Sequence, residues 1–363
     1  MTEQHSTRDL DWPLLIITLT LAAIGVLQVY SATHDTAFRD AWWKQILYIS
    51  VGLGAFAVVS YVHYHSLLDR APILYGVAIV LLLVTLAVGR KVFGSTRWIP
   101  LAGGFHLQVS EFAKFVLILI VARYLTELKA ERLHSRDLLK LCGLVVVPMA
   151  LVLKQPDLGT ALTYVPILVI GLFLAGPRWQ HYMALILAAG LVVPVGWRFL
   201  KDYQKERIYT FLEPARDPRG AGYQVIQSQI AVGQGGMWGK GVTQGSQTQL
   251  QFLPVPHTDF IFSTYAEEHG FVGVLVALGL YFLLLMQIVQ NAQTAPDRAG
   301  MHICMGVAAL LLFHLLVNAG MVVGRMPVTG IPLPLMSAGG SSTLSMFMML
   351  GLVNSVRFRR FVN

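Results

Sequence analysis

Long apolar segments recur from one end of the sequence to the other, and they constrain the fold more than any other feature. A helix that crosses a bilayer needs about 20 predominantly apolar residues. Runs of this kind occupy approximately 13–32, 43–62, 71–89, 110–128, 138–154, 159–176, 181–198, 261–289, 301–324 and 337–357. The sequence therefore predicts an all-α polytopic membrane protein with about ten transmembrane helices, organised as a single integral membrane domain over 1–363.

The composition agrees with a membrane protein and argues against several other classes. Charged residues make up 13% of the chain, whereas soluble domains contain about 25%. The net charge of +8 therefore has to be interpreted by location, and we expect no nucleic-acid partner. Cys142 and Cys304 lie inside apolar runs, so we expect neither a disulfide nor a zinc site. The first apolar run lacks a small-residue cleavage site and is expected to remain as the first helix.

Lys and Arg residues indicate the orientation in the membrane, because they favour cytoplasmic connections. An even number of spans places both termini on one side. On that side, basic residues surround the connection 124–137 and close the chain over 357–360. Both termini are therefore predicted to be cytoplasmic. The segment 199–258 then becomes a long extracytoplasmic loop, and Asp259 at its end faces outward.

The segment 199–258 is polar, basic and rich in glycine. Connections of this length are often lids or binding loops. Apolar residues at helical spacing over 223–230, with Gln on the other face, predict a short amphipathic helix along the membrane surface. Glycines between 233 and 241 predict a flexible turn whose backbone N–H groups can approach phosphate. A nucleotide P-loop is excluded, because it needs Gly at Gln234 and Ser or Thr at Gly241.

Asp259 stands where this polar segment ends and the eighth apolar run begins. Ionisable groups in or beside a span are costly and are usually retained for function. The N-terminus of the following helix should favour the ionised carboxylate, which is then ready to accept a proton. Capping of that helix by Asp259 or Thr258 explains the residue equally well from composition alone.

Other polar residues accompany the apolar runs. Trp98 follows Arg97 in a short connection, where an interfacial anchor is the simpler explanation. Glu111 and Lys114 are spaced i, i+3 on one helix face and can form an ion pair. Asp157 is placed to cap the N-terminus of the next helix.

A segment rich in Pro and Gly covers 324–342. Such a composition beside a span predicts broken helix, which is tolerated at membrane depth only where protein or a water-filled cavity surrounds it. Arg325 is the charged residue of this segment and a candidate partner for phosphate.

Seven short motifs resemble those of the SEDS proteins (shape, elongation, division, sporulation), in the family's order and over essentially the whole chain. They are STRWI at 95–99, SEFAK at 110–114, KQPDLGTAL at 154–162, GYQVIQSQIAVGQGGMWGKG at 222–241, QLQFLP at 249–254, HTDFIF at 257–262 and GIPLPLMSAGGSS at 330–342. KQPDLGT and the glutamine-rich approach to QFLP favour the elongation branch, RodA, over the division branch, FtsW. The chain departs from the family at three places. The family usually has Pro where Val109 stands and a Glu-containing pair where Val255-Pro256 stands. It often has Tyr where Ala338 stands.

The resemblance implies a peptidoglycan glycosyltransferase that joins lipid II disaccharide units into β-1,4 glycan strands for cell-wall elongation and rod shape. It also implies the bacterial cytoplasmic membrane, surrounding membrane lipid, an extracytoplasmic active site and a class B penicillin-binding protein as transpeptidase partner. The family's essential aspartate falls on Asp259, which is the predicted catalytic residue. The family's Trp, Glu–Lys pair and QPD aspartate fall on Trp98, Glu111, Lys114 and Asp157.

The chemistry that the resemblance implies is compatible with one essential carboxylate. An inverting displacement of undecaprenyl pyrophosphate needs one base to take the proton of the acceptor hydroxyl. Most glycosidases need two carboxyls, but a pyrophosphate leaves once its charge is stabilised. Stabilisation is expected from basic side chains or from Mg²⁺ or Mn²⁺, and no organic cofactor is expected. The candidate substrate-binding residues are Trp98, Arg97, Lys114, Glu111, Asp157, Arg207, Arg219, Gln224, Gln227, Lys240, Arg325, Ser337 and Ser341.

Two other functions are compatible with the sequence. A lipid II flippase or transporter also combines many spans, intramembrane charges and broken helices. A non-catalytic scaffold for a cell-wall transpeptidase would have the same fold without a base. The polar residues cluster at one outward face and the two halves show no inverted repeat, which favours the enzyme. Cross-linking is expected to be supplied by another chain, because no segment resembles an appended soluble domain.

Overall fold

Helices form most of this computed structural model, which describes residues 10–92, 95–100, 106–128, 134–177, 179–199, 202–214, 220–253 and 255–360. Helices α1 to α5 are Trp12–Thr33, Ala41–Tyr61, Tyr64–Val88, Val109–Glu127 and Ser135–Lys154. Helices α6 to α10 are Leu158–Leu162, Val165–Ala175, Trp179–Phe199, Asp202–Leu212 and Ala221–Gln234. Helices α11 to α14 are Ser246–Gln249, Ile261–Gln293, Arg298–Val322 and Gly340–Phe358.

Six helical segments of the described chain are long and apolar enough to cross a membrane. They are Trp12–Thr33, Ala41–Tyr61, Tyr64–Val88, Leu158–Ala175, Ile261–Gln293 and Arg298–Val322. The four remaining predicted spans coincide with α4, α5, α8 and α14. A polytopic helical protein is thus confirmed, and the topology of ten spans stays a prediction.

The connection between α3 and α4 corrects the all-α prediction. It forms an antiparallel sheet in the order β1-β2-β3, with strands β1 (Arg90–Val92), β2 (Ser95–Pro100) and β3 (His106–Leu107). Arg90 pairs with Trp98, and Ile99 pairs with Leu107. The β-branched and aromatic residues of this connection favour strands. Strands this short produce no apolar run of membrane length in the sequence.

The predicted loop 199–258 contains three helices in its described part, namely α9, α10 and α11. Helix α10 covers the predicted amphipathic segment and packs against α12 and α13. Its Ser228 hydroxyl lies 2.9 Å from the hydroxyl of Ser263 on α12 and donates to the carbonyl of Val322 on α13 at 2.7 Å. The segment is therefore fastened to the helix that follows Asp259.

Helix α12 is broken at Gly270, whose φ of 63° and ψ of −165° lie outside helical geometry. A positive φ of this kind favours glycine. The break leaves two N–H groups without helical partners, and the glycine-rich turn before α11 satisfies both. Phe271 donates to the carbonyl of Gly236 at 2.9 Å, and Val272 donates to that of Met237 at 3.1 Å.

The same turn, residues 235–241, also satisfies carbonyls on the other side of the break. The N–H of Lys240 donates to the carbonyl of Glu267 at 3.1 Å, and the N–H of Gly241 donates to that of Glu268 at 2.9 Å. From the glycines alone, N–H groups of this turn were expected to approach phosphate. The structure corrects this, because both donors are already used to complete α12.

We expect Gly270→Ala to lower the thermal stability of the protein. The new Cβ would lie 2.7 Å from the carbonyl oxygen of Met237 and 2.7 Å from the carbonyl carbon of Trp238. Backbone strain at a positive φ costs on the order of 1–3 kcal/mol. Gly279→Ala is the matched control in the same helix, because its Cβ would meet no atom within 4 Å. Thermal unfolding of both purified variants tests this, and equal melting temperatures would contradict it.

The two ends of the described chain lie at the same end of the bundle. Arg357 of α14 places an Nη1 atom 3.4 Å from the buried carboxylate of Asp11, which also accepts from Asn291 at 2.6 Å. At the other end of α1, Gln28 donates to Glu268 at 3.0 Å. The start of α12 is therefore at the end of the bundle opposite to the termini.

Candidate active site

Asp259 lies just before α12, where segments distant in sequence meet. A Cβ on Gly330 would lie 3.3 Å from Asp259 Oδ2, so the Pro- and Gly-rich segment lies against the carboxylate. Asn318 of α13 links the Asp259 segment to the Pro- and Gly-rich segment. Its Nδ2 donates to the carbonyl of Asp259 at 3.0 Å and to that of Ile331 at 2.8 Å. The backbone that holds the carboxylate is thereby fixed to α13.

Ser337 also links these two segments by hydrogen bonds. Its hydroxyl donates to the carbonyl of Thr258 at 2.6 Å and accepts from the N–H of Leu333 at 2.8 Å. The N–H of Ala338 donates to the carbonyl of His257 at 2.9 Å. These bonds give the predicted substrate-binding residue Ser337 a positioning role next to Asp259.

Asp157 is a second buried carboxylate, and it is fully engaged with protein groups. It caps α6 as predicted, because Oδ1 accepts from the N–H of Thr160 at 3.2 Å. Oδ2 accepts from Gln108 Nε2 at 3.0 Å, and Arg97 Nη1 lies 3.2 Å from Oδ1. Asp157 is therefore an anchor for the β-sheet and α6, and it holds the Arg97 guanidinium in place.

The charges of neighbouring residues affect the pKa of Asp259. Burial raises the pKa of Asp259 above the ordinary value of an aspartate. A hydrogen bond from the Thr258 side chain and the positive charges of Arg97 and Arg207 oppose this rise, whereas the negative charge of Asp157 adds to it. The structure thus brings three predicted residues, Arg97, Asp157 and Arg207, into the surroundings of Asp259. A half-buried carboxyl group with a raised pKa is a suitable general base.

The predicted ion pair between Glu111 and Lys114 is confirmed. Lys114 Nζ lies 2.8 Å from Glu111 Oε1, and both side chains are buried inside the bundle. His314 of α13 joins the pair, with Nε2 at 3.3 Å from Lys114 Nζ and Nδ1 at 3.1 Å from the carbonyl of Pro332. If Nδ1 donates to that carbonyl, Nε2 accepts from the ammonium group. This network links α4 to the segment that lies against Asp259.

Comparison with known proteins identifies the family. The sequence profile of the FtsW/RodA/SpoVE family of cell cycle proteins matches residues 12–360. The chain belongs to this family. The SEDS resemblance of the motifs is therefore confirmed, and the helices long enough to cross a membrane belong to a multi-pass membrane protein.

Curated SEDS relatives align along nearly the full length of the chain. The peptidoglycan glycosyltransferase RodA of Treponema pallidum is 34% identical, over 97% of this chain and 98% of that protein. The peptidoglycan glycosyltransferase MrdB of Escherichia coli K12 is 38% identical, over 97% and 94%. Stage V sporulation protein E of Bacillus subtilis is 37% identical, over 99% and 100%.

Solved structures of SEDS proteins share the fold. One chain belongs to a peptidoglycan synthase complex that coordinates polymerization and crosslinking. It matches with a TM-score of 0.84 and 35% identity, over 98% of this chain and 99% of that one. The rod shape determining protein RodA of Thermus thermophilus matches with a TM-score of 0.73 and 29% identity, over 98% of both chains.

Two predicted residues of this SEDS protein lie around the β-sheet near the start of α4. Trp98 is half-buried in β2, and its ring centroid lies 6.3 Å from that of His106 in β3. Ser341 at the start of α14 accepts from the N–H of Gln108 at 3.0 Å and lies 3.4 Å from the carbonyl of His106. Trp98 directly follows Arg97, which contacts Asp157, and Ser341 joins α14 to the same sheet.

Lys240 is placed apart from Asp259. Its ammonium group lies 2.9 Å from Glu267 Oε1 and donates to Ser246 Oγ at 2.7 Å and to Gln234. Glu267 is two helical turns beyond Asp259. The predicted phosphate-binding lysine is therefore part of the structure that closes the break in α12.

The remaining candidates lie on α9, on α10, in the turn after α13 and outside the described residues. Arg207 is half-buried on α9, and Gln224 and Gln227 are half-buried on α10. Arg325 is exposed in the turn after α13. Arg219 lies outside the described residues. Substrate contacts by these five residues stay predictions.

His314 and Asn318 are site residues that sequence analysis missed. They are spaced i, i+4 within an apolar run and belong to none of the recognised motifs. A signal was present nevertheless, because polar side chains on one face of a membrane helix are costly unless they are paired.

A metal centre would need several His, Cys, Asp or Glu side chains gathered around one point. In the parts of the chain that the structure describes, no group of three or more His, Cys, Asp or Glu side chains is arranged to hold a metal ion. Mg²⁺ or Mn²⁺ at the pyrophosphate stays a prediction.

Proposed function

We propose that this SEDS protein is a peptidoglycan glycosyltransferase that joins lipid II disaccharide units into β-1,4 glycan strands with release of undecaprenyl pyrophosphate. Relatives that are peptidoglycan glycosyltransferases align over nearly the whole chain. The observation on which the proposal depends most is the position of the Asp259 carboxyl group, half-buried against the Gly330 segment, where burial raises its pKa and the positive charges of Arg97 and Arg207 oppose that rise.

Asp259 is the base in this reaction. Its carboxylate takes the proton of the acceptor sugar hydroxyl as the hydroxyl oxygen forms a bond to the anomeric carbon of the donor. The bond between that carbon and the pyrophosphate oxygen breaks on the opposite face, and the pyrophosphate leaves with the electron pair. One base is sufficient, since the leaving group departs as an anion and needs charge stabilisation instead of a proton.

Arg97 and Arg207 are the side chains best placed to stabilise the departing charge. Arg97 uses an Nη1 atom to hold Asp157, whereas its buried Nε has no hydrogen-bond partner among the described residues. An unpaired buried donor of this kind is costly unless a ligand satisfies it. Arg207 forms no ion pair within the described part of the chain. Mg²⁺ or Mn²⁺ would supply the same stabilisation by neutralising pyrophosphate oxygens.

The active site is proposed to face outward, with both termini in the cytoplasm. The contact of Arg357 with Asp11 and the position of α12 support opposite ends for the termini and for Asp259. The basic residues near the chain end then lie on the cytoplasmic side, as the distribution of Lys and Arg predicts. A class B penicillin-binding protein is the proposed transpeptidase partner, supported by the likeness to a chain of a peptidoglycan synthase complex.

Polymerisation of labelled lipid II by the purified protein, with and without its partner, tests the proposed function. A ladder of glycan products is the expected result. A lipid-flip assay on the same sample separates the enzyme from a flippase. Movement of lipid II without glycan in either condition would overturn the proposal.

The pH dependence of polymerisation should report the raised pKa of Asp259. The base is active only when it is ionised, so the rate should fall as the pH drops through this pKa, at a higher pH than for an ordinary aspartate. Arg207→Gln removes a positive charge that lowers the pKa, and should therefore move the acid limb to still higher pH. Initial rates of the wild type and of the variant across the acid pH range locate the acid limb of each protein. A limb that stays in place or moves to lower pH in the variant would contradict the assignment.

A further inference from the structure

A cavity of about 500 Å³ lies between α3, α4 and α5, far from Asp259. It is near the end of the bundle that holds the termini. Tyr64, the first residue of α3, donates to Asp297 just before α13 at 2.9 Å, and the cavity begins two turns further along α3, at Pro72. The cavity therefore opens in the half of the membrane opposite to the proposed active site.

Pro72 shapes the first wall of the cavity. A proline within a helix has no N–H, so the carbonyl four residues earlier loses its helical partner. That carbonyl belongs to Leu68, and Arg123 of α4 donates to it at 3.0 Å and to the carbonyl of Asp69 at 2.7 Å. The side chain of Arg123 is thus held across the cavity by the backbone of α3.

Pro148 shapes the opposite wall in the same way. It lies inside α5 and frees the carbonyl of Leu144. The hydroxyl of Tyr75 on α3 donates to this carbonyl at 2.9 Å. Each helix therefore lacks one intrahelical hydrogen bond beside the cavity, and the freed carbonyl accepts from a side chain that lines it. The two freed carbonyls are thereby satisfied, as a membrane segment requires.

The mouth of the cavity carries positive charge. Lys140 lines it, and Arg136 lies one turn earlier on the same face of α5. Both are exposed, and neither forms an ion pair within the described part of the chain. The nearby carboxylates are occupied: Glu127 lies 2.7 Å from Arg123 Nε, and Asp137 accepts from Tyr124 at 3.2 Å.

The interior of the cavity is apolar, and its rim faces lipid. Ile120 of α4 and Val147 of α5 line the interior, and Gly143 forms part of the wall. A Cβ on Gly143 would meet no atom within 4 Å, so the space beside it is open. Leu139, at the rim, is 76% exposed. A cationic mouth above an apolar slot matches an amphiphile with an anionic head.

We propose that this cavity binds an anionic glycerophospholipid of the inner leaflet. The lipid phosphate lies at Lys140 and Arg136, and an acyl chain lies between Ile120 and Val147. Basic pockets between transmembrane helices bind anionic head groups, and the volume is that of a ligand site. The assignment to the inner leaflet rests on the orientation proposed above, whereas binding itself is independent of glycosyltransferase activity.

Lipid retention by the purified full-length protein tests the site. The protein is exchanged into nanodiscs that contain phosphatidylglycerol in a phosphatidylcholine background, and retained lipid is quantified after detergent extraction by native mass spectrometry. We expect selective retention of phosphatidylglycerol by the wild type. The double variant Arg136→Gln with Lys140→Gln should weaken it by about 30-fold, at about 1 kcal/mol for each cation.

Two further variants distinguish a lipid from a simple anion and from surrounding bilayer. Gly143→Leu fills the slot and leaves both cations in place, so it should also abolish retention. Arg70→Gln is the matched control, because Arg70 is exposed at the same end of α3 and does not line the cavity. Unchanged melting temperatures confirm that the variants are folded. Equal retention of phosphatidylcholine, displacement of the lipid by inorganic phosphate alone, or no effect of Gly143→Leu would each overturn the proposal.

Discussion

Replacement of Asp259 by Asn is expected to abolish glycan polymerisation and to leave the protein folded. The amide keeps the size of the carboxylate but cannot accept the proton of the acceptor hydroxyl. Loss of a general base costs about 10²- to 10⁴-fold in rate. Because burial raises the pKa of Asp259, a neutral side chain at this position should not destabilise the fold. Polymerisation of labelled lipid II by purified protein with its partner measures the effect, and Asp259→Ala should behave in the same way.

Asp35→Asn is a suitable control for this experiment. Asp35 follows α1 at the same end of the bundle, is 78% exposed and lies 2.9 Å from His34. It should keep wild-type activity. A near-normal rate with Asp259→Asn would remove Asp259 from the role of base. A folded Asp259→Asn variant that loses transpeptidase recruitment together with polymerisation would instead favour the scaffold function.

Replacement of Lys114 by Met is expected to destabilise the protein strongly. It leaves the carboxylate of Glu111 buried without its ion pair and removes the partner of His314 Nε2. Breaking a buried pair in this way costs about 3–5 kcal/mol. Thermal unfolding in detergent measures the effect. The double variant Lys114→Met with Glu111→Leu should recover most of the lost stability, because no buried charge is left unpaired.

The double variant also decides between a structural and a substrate-binding role for this pair. If the pair only stabilises the bundle, the folded double variant should polymerise lipid II at a rate near that of the wild type. If the ammonium group binds substrate, the double variant should be folded and inactive. A single Lys114→Met variant as stable as the wild type would contradict the assignment of a tightly coupled buried pair.

The positions of the long helices could be predicted from the sequence, because continuous apolar runs have few alternatives in a membrane, but α3 begins at Tyr64 and not at the predicted residue 71. Interruptions within those runs could not be predicted from the sequence. The predicted span 159–176 is divided into α6 and α7, where Pro166 begins a new helix in its first turn. The break at Gly270 was missed for a related reason, since one glycine hardly changes the hydropathy of a long window. Its cause is a tertiary contact with the turn 235–241.

Some residues of the candidate site could be predicted from the local sequence, whereas others depend on contacts between distant segments. Asp259 could be singled out because a charge at the start of an apolar run is conspicuous, and the cap by Asp157 follows from its position before α6. The contacts of Asn318 and His314 depend on how α13 meets the loops of other helices. Lys240 was one of several basic side chains expected to contact the substrate, whereas the structure pairs it with Glu267. Local composition cannot distinguish these partners.

The break in α12 has a consequence for biogenesis. Residues 271–293 are long enough to cross a bilayer without help. The half-helix 261–269 carries the buried carboxylates Glu267 and Glu268, and the carbonyls at its end accept from N–H groups of the turn 235–241. Such groups cost several kcal/mol each in hydrocarbon. During synthesis, the translocon should therefore release 271–293 into lipid first, and 261–269 should join the bundle only after the earlier-made turn has folded onto it.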